Sequence, residues 1–419
     1  MTPRGWAVLT LAGLTIALLV TAALFIPWHR PPAPRADQLA ALRDLPAEQV
    51  ARGREFRAAL RPGGYAALAV GLLIALALGL TPLGSRLVEL VGRPFGGHWI
   101  AQAVLGGLAV VLVADLLTLP FSAGRQSVLT RYGLSTNGWS GWAVDLLKSY
   151  AVSAVIGAVA LFGFYAVIRL APRWWWAFGA AGAALLVVLL SFVLPVLVEP
   201  VFNRFTPMEQ GPLRTELMSM AARDGVPVRD VLVADASRRT RAVNAYVSGL
   251  GPTRRVVVYD TLLREATPAE VTAVVAHELG HAKDSDVAVG TLTGALGAAA
   301  AVVALYLLGS WGLLLRLAGV DSVAHPRAFP LLIALVTVAG LVATPVQALM
   351  SRRVEARADA HALALTGDPV AFESMQRRLG SVNLGDPDPP RWEYLYSASH
   401  PSTVERMAAA RAYAREAGR

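Results

Sequence analysis

Residues 267–315, TPAEVTAVVAHELGHAKDSDVAVGTLTGALGAAAAVVALYLLGSWGLLL, join two kinds of helix in one stretch. The first opens on an N-cap Thr267, with Pro268 at the first helical position and Glu270 at the third, a capping-box pattern. Val271, Val274 and Val275 then form an apolar stripe on one face. From residue 287 onward the chain is apolar all round, and long enough to cross a bilayer, which takes about 20 such residues. Working outward, six more stretches read the same way: residues 6–27, 65–83, 99–121, 150–170, 174–198 and 329–350. For the first, a signal peptide is the competing reading. Its apolar run is too long for an h-region and no small-x-small site precedes Trp28-His29-Arg30, which favours a retained span. In chain order the stretch 287–315 is the sixth span and the longest, and its helix is expected to extend beyond the bilayer. Short β-branched runs at 231–233 and 256–258 are expected to be strands ahead of the 267 helix. The expected fold class is therefore mainly α: a polytopic membrane protein of seven transmembrane helices, with a small β-sheet outside the membrane.

Composition agrees. Of 419 residues, 55% are apolar and only 16% charged, against about 25% charged in soluble globular proteins. That argues against a water-soluble enzyme and against a disordered chain. Cysteine is absent, which excludes disulfides, thiolate metal sites, iron–sulfur clusters and cysteine nucleophiles. The net charge of +9 is carried by Arg residues spread over loops, with no aromatic-interleaved basic stripe, so no nucleic-acid partner is expected. Of the 38 Lys and Arg, 31 fall on one side of the seven spans and 7 on the other. The positive-inside rule puts the rich side in the cytoplasm and the N-terminus outside, although the short loops alone lean that way only weakly. The expected organisation is spans one to five in 1–198, with an Arg-rich cytoplasmic linker at about 28–64 containing an amphipathic surface helix. A first soluble part follows in 199–286, then spans six and seven in 287–350 and a second soluble part in 351–419. No internal repeat is visible.

The strongest chemical signal is His277-Glu278-Leu279-Gly280-His281. Two histidines four apart share one face of a helix, so both imidazoles can bind one zinc ion, and the Glu beside the first can act on water there. The competing reading is a helix with two satisfied surface histidines. A hydrolytic zinc site needs a third protein ligand and an open position. His29, His98 and His325 flank spans and read as interfacial side chains. In the tail, Glu355 and Asp359 lie one turn apart just after span seven. One can bind zinc while the other accepts a hydrogen bond from a ligating His; spacing does not say which, and a solvated Glu–Arg face fits as well.

Together these residues resemble the integral-membrane zinc metalloproteases of the CAAX prenyl protease type, the sterile-twenty-four-like peptidases, which are gluzincins. The resemblance rests on Arg131-Tyr132-Gly133-Leu134-Ser135 with Trp142, Asp145 and Lys148, and on Glu199-Pro200-Val201-Phe202-Asn203-Arg204-Phe205. It continues through Asn244-Ala245-Tyr246-Val247-Ser248-Gly249, the HELGH motif, Ser351-Arg352-Arg353 with Glu355 and Asp359, and His400-Pro401-Ser402 with Arg406. It covers the chain from about residue 125 onward; the first two spans match by hydropathy alone. It implies a gluzincin-type zinc protease domain and seven spans around an internal water-filled chamber. It implies one Zn2+ per chain held by His277, His281 and Glu355, with Glu278 as general base. Asp359 would orient a ligating His. Asn244, on an active-site edge strand, would hold substrate backbone. His400 and Arg406 would stabilise the oxyanion or orient neighbouring groups. Ser402-Thr403-Val404-Glu405 is a capping box, which places His400 just ahead of a positive helix end. Two features depart from the family pattern. Ala356 stands where an aromatic is frequent, and His361 is an extra histidine expected to face away from zinc. Asp284 and Asp286 read as surface charges or ion-pair partners. Intramembrane Asp115 reads as an interfacial carboxylate, with a chamber-facing group as the alternative.

The expected function is membrane-embedded zinc metalloendopeptidase activity on peptide or protein substrates, membrane-anchored ones included, in the lipid bilayer. C-terminal CAAX-type substrates follow from the resemblance alone. High Ala and Arg content points to a GC-rich bacterial genome and its plasma membrane, where a stress-linked quality-control endopeptidase is an alternative, although enzymes of that kind have about four spans. A non-catalytic scaffold or a transporter with structural zinc is a third reading. It has no use for Glu278, and a transporter is expected to show inverted repeats.

Overall fold

A computed structural model describes residues 2–418 apart from 31, 250, 252 and 253. Seven of its helices are long and apolar enough to cross a membrane: Pro3–Phe25, Ala47–Gly79, Ala101–Arg131, Trp139–Leu170, Trp175–Phe202, Asp286–Leu308 and Pro326–Thr366. They match the seven expected stretches in order, with three corrections. The second helix starts within the expected linker and carries Pro62 inside it. The sixth is not the longest: it stops at Leu308 and is followed by a separate short helix, Gly312–Ala318. The seventh is the longest and runs without a break from the bilayer through Glu355 and Asp359 to Thr366, where Gly367 ends it with φ +60°. Large apolar side chains such as Leu170 and Val342 stay exposed along the spans, as suits helices of a length to cross a bilayer.

Outside the spans, four strands form one sheet in the order β1-β2-β4-β3. They are β1 (Phe205–Pro207), β2 (Asp230–Ala234), β3 (Ala245–Ser248) and β4 (Arg255–Tyr259). The β-branched runs at 231–233 and 256–258 are the central pair β2 and β4, parallel in register. β3 pairs with β4 antiparallel and is an edge strand. Behind the sheet, Val231, Val256 and Val258 pack on Leu217, Leu279, Phe372 and Met375. All seven are at most 2% exposed, and each contributes on the order of 1.5–3 kcal/mol. This core ties the helix Pro268–Lys283, from the first soluble part, to Pro369–Val382 and Thr403–Glu416 of the second.

The soluble parts and loops sort to two ends of the spans. At one end the linker helix Arg35–Arg43 and the start of the second span hold the C-terminal segment: Arg35–Asp388 at 2.6 Å, Arg61–Glu393 at 2.6 Å and Arg415–Asp37 at 2.9 Å. There too, Ser135 bridges Thr240, and Lys148 donates to the Val201 carbonyl. At the other end Arg327 meets Glu89 at 3.4 Å, Gly319 packs on Pro82 and Arg169 lies over the Trp99 ring. Two cavities of about 940 and 790 Å³ lie among the spans. Asp115 and Tyr150 line the larger, which favours the cavity-facing alternative for Asp115.

Candidate metal centre

The helix Pro268–Lys283 is anchored before it presents any chemistry. The Thr267 hydroxyl accepts from Glu270 N–H, and the Glu270 carboxylate accepts in return from Thr267 N–H at 2.8 Å. Glu270 is buried and also accepts from Ser374 at 2.6 Å and Arg378 at 2.7 Å. The capping box thus fixes the start of the helix and docks it on Pro369–Val382.

One turn apart on that helix, His277 and His281 aim their Nε2 atoms at each other, 3.2 Å apart. The seventh span brings Glu355 to the same point, with Oε2 3.3 Å from His277 Nε2 and Oε1 3.5 Å from His281 Nε2. A tetrahedral ion about 2.0–2.1 Å from each ligand atom would set them about 3.3–3.4 Å apart. The three side chains therefore already stand at ligand spacing, and they are the group whose donor atoms converge among the described residues. Glu355 Oε2 is buried without a hydrogen-bond partner, which is costly unless a cation satisfies it. Burial opposes charge on His277, but Asp359 and Glu355 outweigh it and raise the imidazole to about 9. The pocket favours a positive charge, as a metal site must.

The outward nitrogens of both histidines are also held. His277 Nδ1 lies 2.9 Å from Asp359 Oδ1, and His281 Nδ1 lies 2.8 Å from Asp286 Oδ2. A carboxylate on Nδ1 makes it the protonated nitrogen and leaves Nε2 free to ligate. Asp359 is 3% exposed and meets His277 alone of the two histidines. Asp286 is more than a surface charge. Arg357 binds both it and Asp284, the latter at 2.7 Å. No spacing signal marked Asp286, because it lies beyond the end of the motif helix.

Arg406 is buried and grips Asp359 with two nitrogens, Nε at 2.9 Å from Oδ2 and Nη2 on Oδ1. His400 is mostly exposed, yet its Nε2 is 3.4 Å from Glu355 Oε1. Asn244 is exposed at the start of β3, its carbonyl accepting from Tyr259 N–H at 3.0 Å. Glu278 is half-buried, and desolvation pushes its carboxyl above the usual glutamate range against the pull of both histidines. It lines a cavity of about 350 Å³ with Val247, His281 and Glu355. That cavity shares Asp286 and Val354 with the 790 Å³ cavity between spans six and seven. His361 faces away as expected, 2.9 Å from Asp224. His29, His98 and His325 are exposed.

Comparison with known proteins identifies the family and the fold. The model of peptidase family M48 matches residues 207–414. The model of the CAAX prenyl protease N-terminal region, five membrane helices, matches residues 51–204. The chain is 29% identical over 303 residues to the uncharacterized metalloprotease YhfN of Bacillus subtilis, covering 71% of this chain and 70% of that one. It is 29% identical over 325 residues to a CAAX prenyl protease 1 homolog of Arabidopsis thaliana, covering 73% and 72%. The crystal structure of Ste24p from S. mikatae superposes with a TM-score of 0.78 over 97% of this chain and 99% of that one; at 22% identity this speaks for a shared fold.

Proposed function

The chain belongs to peptidase family M48 and is an integral-membrane metalloprotease, and from that premise we propose that it is a zinc endopeptidase acting on C-terminal CAAX-type substrates. The observation that carries the site is the convergence of His277 Nε2, His281 Nε2 and Glu355 beside Glu278. His277, His281 and Glu355 are the zinc ligands, one ion per chain. An ion held there would supply a Lewis acid for the scissile carbonyl and for water beside it.

This chain's residues do the rest. A substrate backbone adds to the outer edge of β3 as a further strand, with Asn244 at its start. Glu278 takes the proton from the attacking water and delivers it to the leaving amine; burial raises its carboxyl above the usual glutamate range, which makes it a stronger base. His400 stabilises the oxyanion. Arg406 acts through Asp359, which its Nε and Nη2 grip, with Nη2 also 3.4 Å from His277 Nδ1; these contacts favour a positioning role over that of an oxyanion donor. The catalytic segments 199–286 and 351–419 face the cytoplasm of a bacterial cell. The CAAX preference draws on the names of relatives such as the Arabidopsis protein. A stress-linked endopeptidase of about four spans accords less well with seven spans.

Glu278→Ala is expected to keep stoichiometric zinc and to abolish cleavage of a CAAX-type or unfolded peptide. Wild-type turnover in that variant would overturn the mechanism. Glu355→Ala is expected to lose the metal by elemental analysis; full zinc content would demand another third ligand.

A further inference from the structure

We infer that Arg352 is the positioning residue for His400, holding its loop over the metal site; this rests on the proposed oxyanion role of His400. His400 lies in a short loop between the helix Arg391–Ser397 and the helix Thr403–Glu416. Its side chain is 59% exposed, so packing does not fix it. What fixes the loop is its two ends. Arg352 stands one turn before Glu355 on the seventh span and is itself only 6% exposed. Its Nη1 donates to the Tyr394 carbonyl at 2.8 Å and to the Ala398 carbonyl at 2.6 Å. The Tyr394 carbonyl also accepts from the Ala398 N–H at 3.3 Å, which closes the helix end, and a cation there is favourable. Arg352 thus caps Arg391–Ser397 and pins the residue two before His400.

The guanidinium also lies over the Tyr394 ring at 4.6 Å, a cation–π contact that sets its plane. The Tyr394 hydroxyl then donates to Glu405 at 2.5 Å, and Ser402 caps the helix in which Glu405 sits. The loop from 398 to 402 is therefore clamped on both sides, and one clamp is built on the helix that carries Glu355. Arg352 and Glu355 move together, so the distance from His400 Nε2 to Glu355, 3.4 Å, is set by a rigid element. A lysine supplies charge without the planar fork.

A double-mutant cycle tests this on the full-length enzyme, using a prenylated CAAX-type peptide or an unfolded peptide that the wild type cleaves. His400→Ala is expected to lower kcat by about 10²–10³-fold, the usual loss of one oxyanion donor. Arg352→Ala is expected to lower kcat by about tenfold or more with KM little changed and zinc content intact. In the His400→Ala background it is expected to change kcat less than about twofold, because partners acting through one another do not add. Arg352→Lys is expected to fall between wild type and Arg352→Ala, and it carries the test if the alanine variant does not fold. If His400→Ala keeps wild-type kcat, the oxyanion reading fails. If His400→Ala loses activity while both Arg352 variants retain it, or if the two losses multiply, the positioning role is overturned.

Discussion

Asp286 follows Ser285, a residue with left-handed backbone at φ 58°. For a side chain other than glycine that conformation is uncommon, and here it reverses the chain so that the next carboxylate reaches back to His281. Spacing rules follow a helix face, so they found His277 and His281 and stopped where the helix stops. By spacing Glu355 and Asp359 were interchangeable as well. Packing separates them: Glu355 meets the Nε2 atoms, while Asp359 meets His277 Nδ1. The expected outcome for Asp286→Ala is zinc affinity weakened by about 10–100-fold, the usual effect of losing a carboxylate behind a ligating histidine. Competition against a chelator measures it, and unchanged affinity would return Asp286 to the surface-charge reading.

At the scale of elements, the second span was the least legible. Pro62 and the arginines from 52 to 61 read as linker, because proline removes a helix bond and charge leaves the bilayer. The helix persists through Pro62 because its charged half docks on the C-terminal segment. Arg54 approaches Asp386, Arg61 binds Glu393, and Gly53 lies against the Gly385 backbone. None of these partners is near in sequence. A Cβ on Gly53 would stand 2.3 Å from the Gly385 carbonyl oxygen, while Gly63 in the same helix has open space. Gly53→Ala is therefore expected to cost about 1–3 kcal/mol, as forced overpacking does. Gly63→Ala is expected to be neutral or stabilising by up to about 1 kcal/mol, since alanine favours a helix. Thermal unfolding of both variants in detergent checks the opposite signs. By contrast the capping box at Thr267 was legible, because both of its partners lie within four residues.

For the whole molecule, sequence and structure inform sidedness in different ways. The charge split counts 31 basic residues against 7, but much of it sits in long segments, where the positive-inside rule is weakest. The fold supplies the grouping independently. The linker, the 131–137 loop and both soluble parts contact one another, while Glu89 and Arg327 join the loops of the opposite end. The charge bias is what bears on which end faces the cytoplasm, and the orientation proposed from it has the metal centre on that side. The absence of cysteine makes the test clean, since any thiol introduced is the only one. Ser310 and His98 lie exposed at one end and Glu216 exposed at the other. In intact cells a membrane-impermeant maleimide is expected to label Ser310→Cys and His98→Cys, and to label Glu216→Cys only after permeabilisation. The reverse pattern would place the catalytic segments outside. CAAX-type substrates made in the cytoplasm would then be out of reach, while the metal chemistry would stand unchanged.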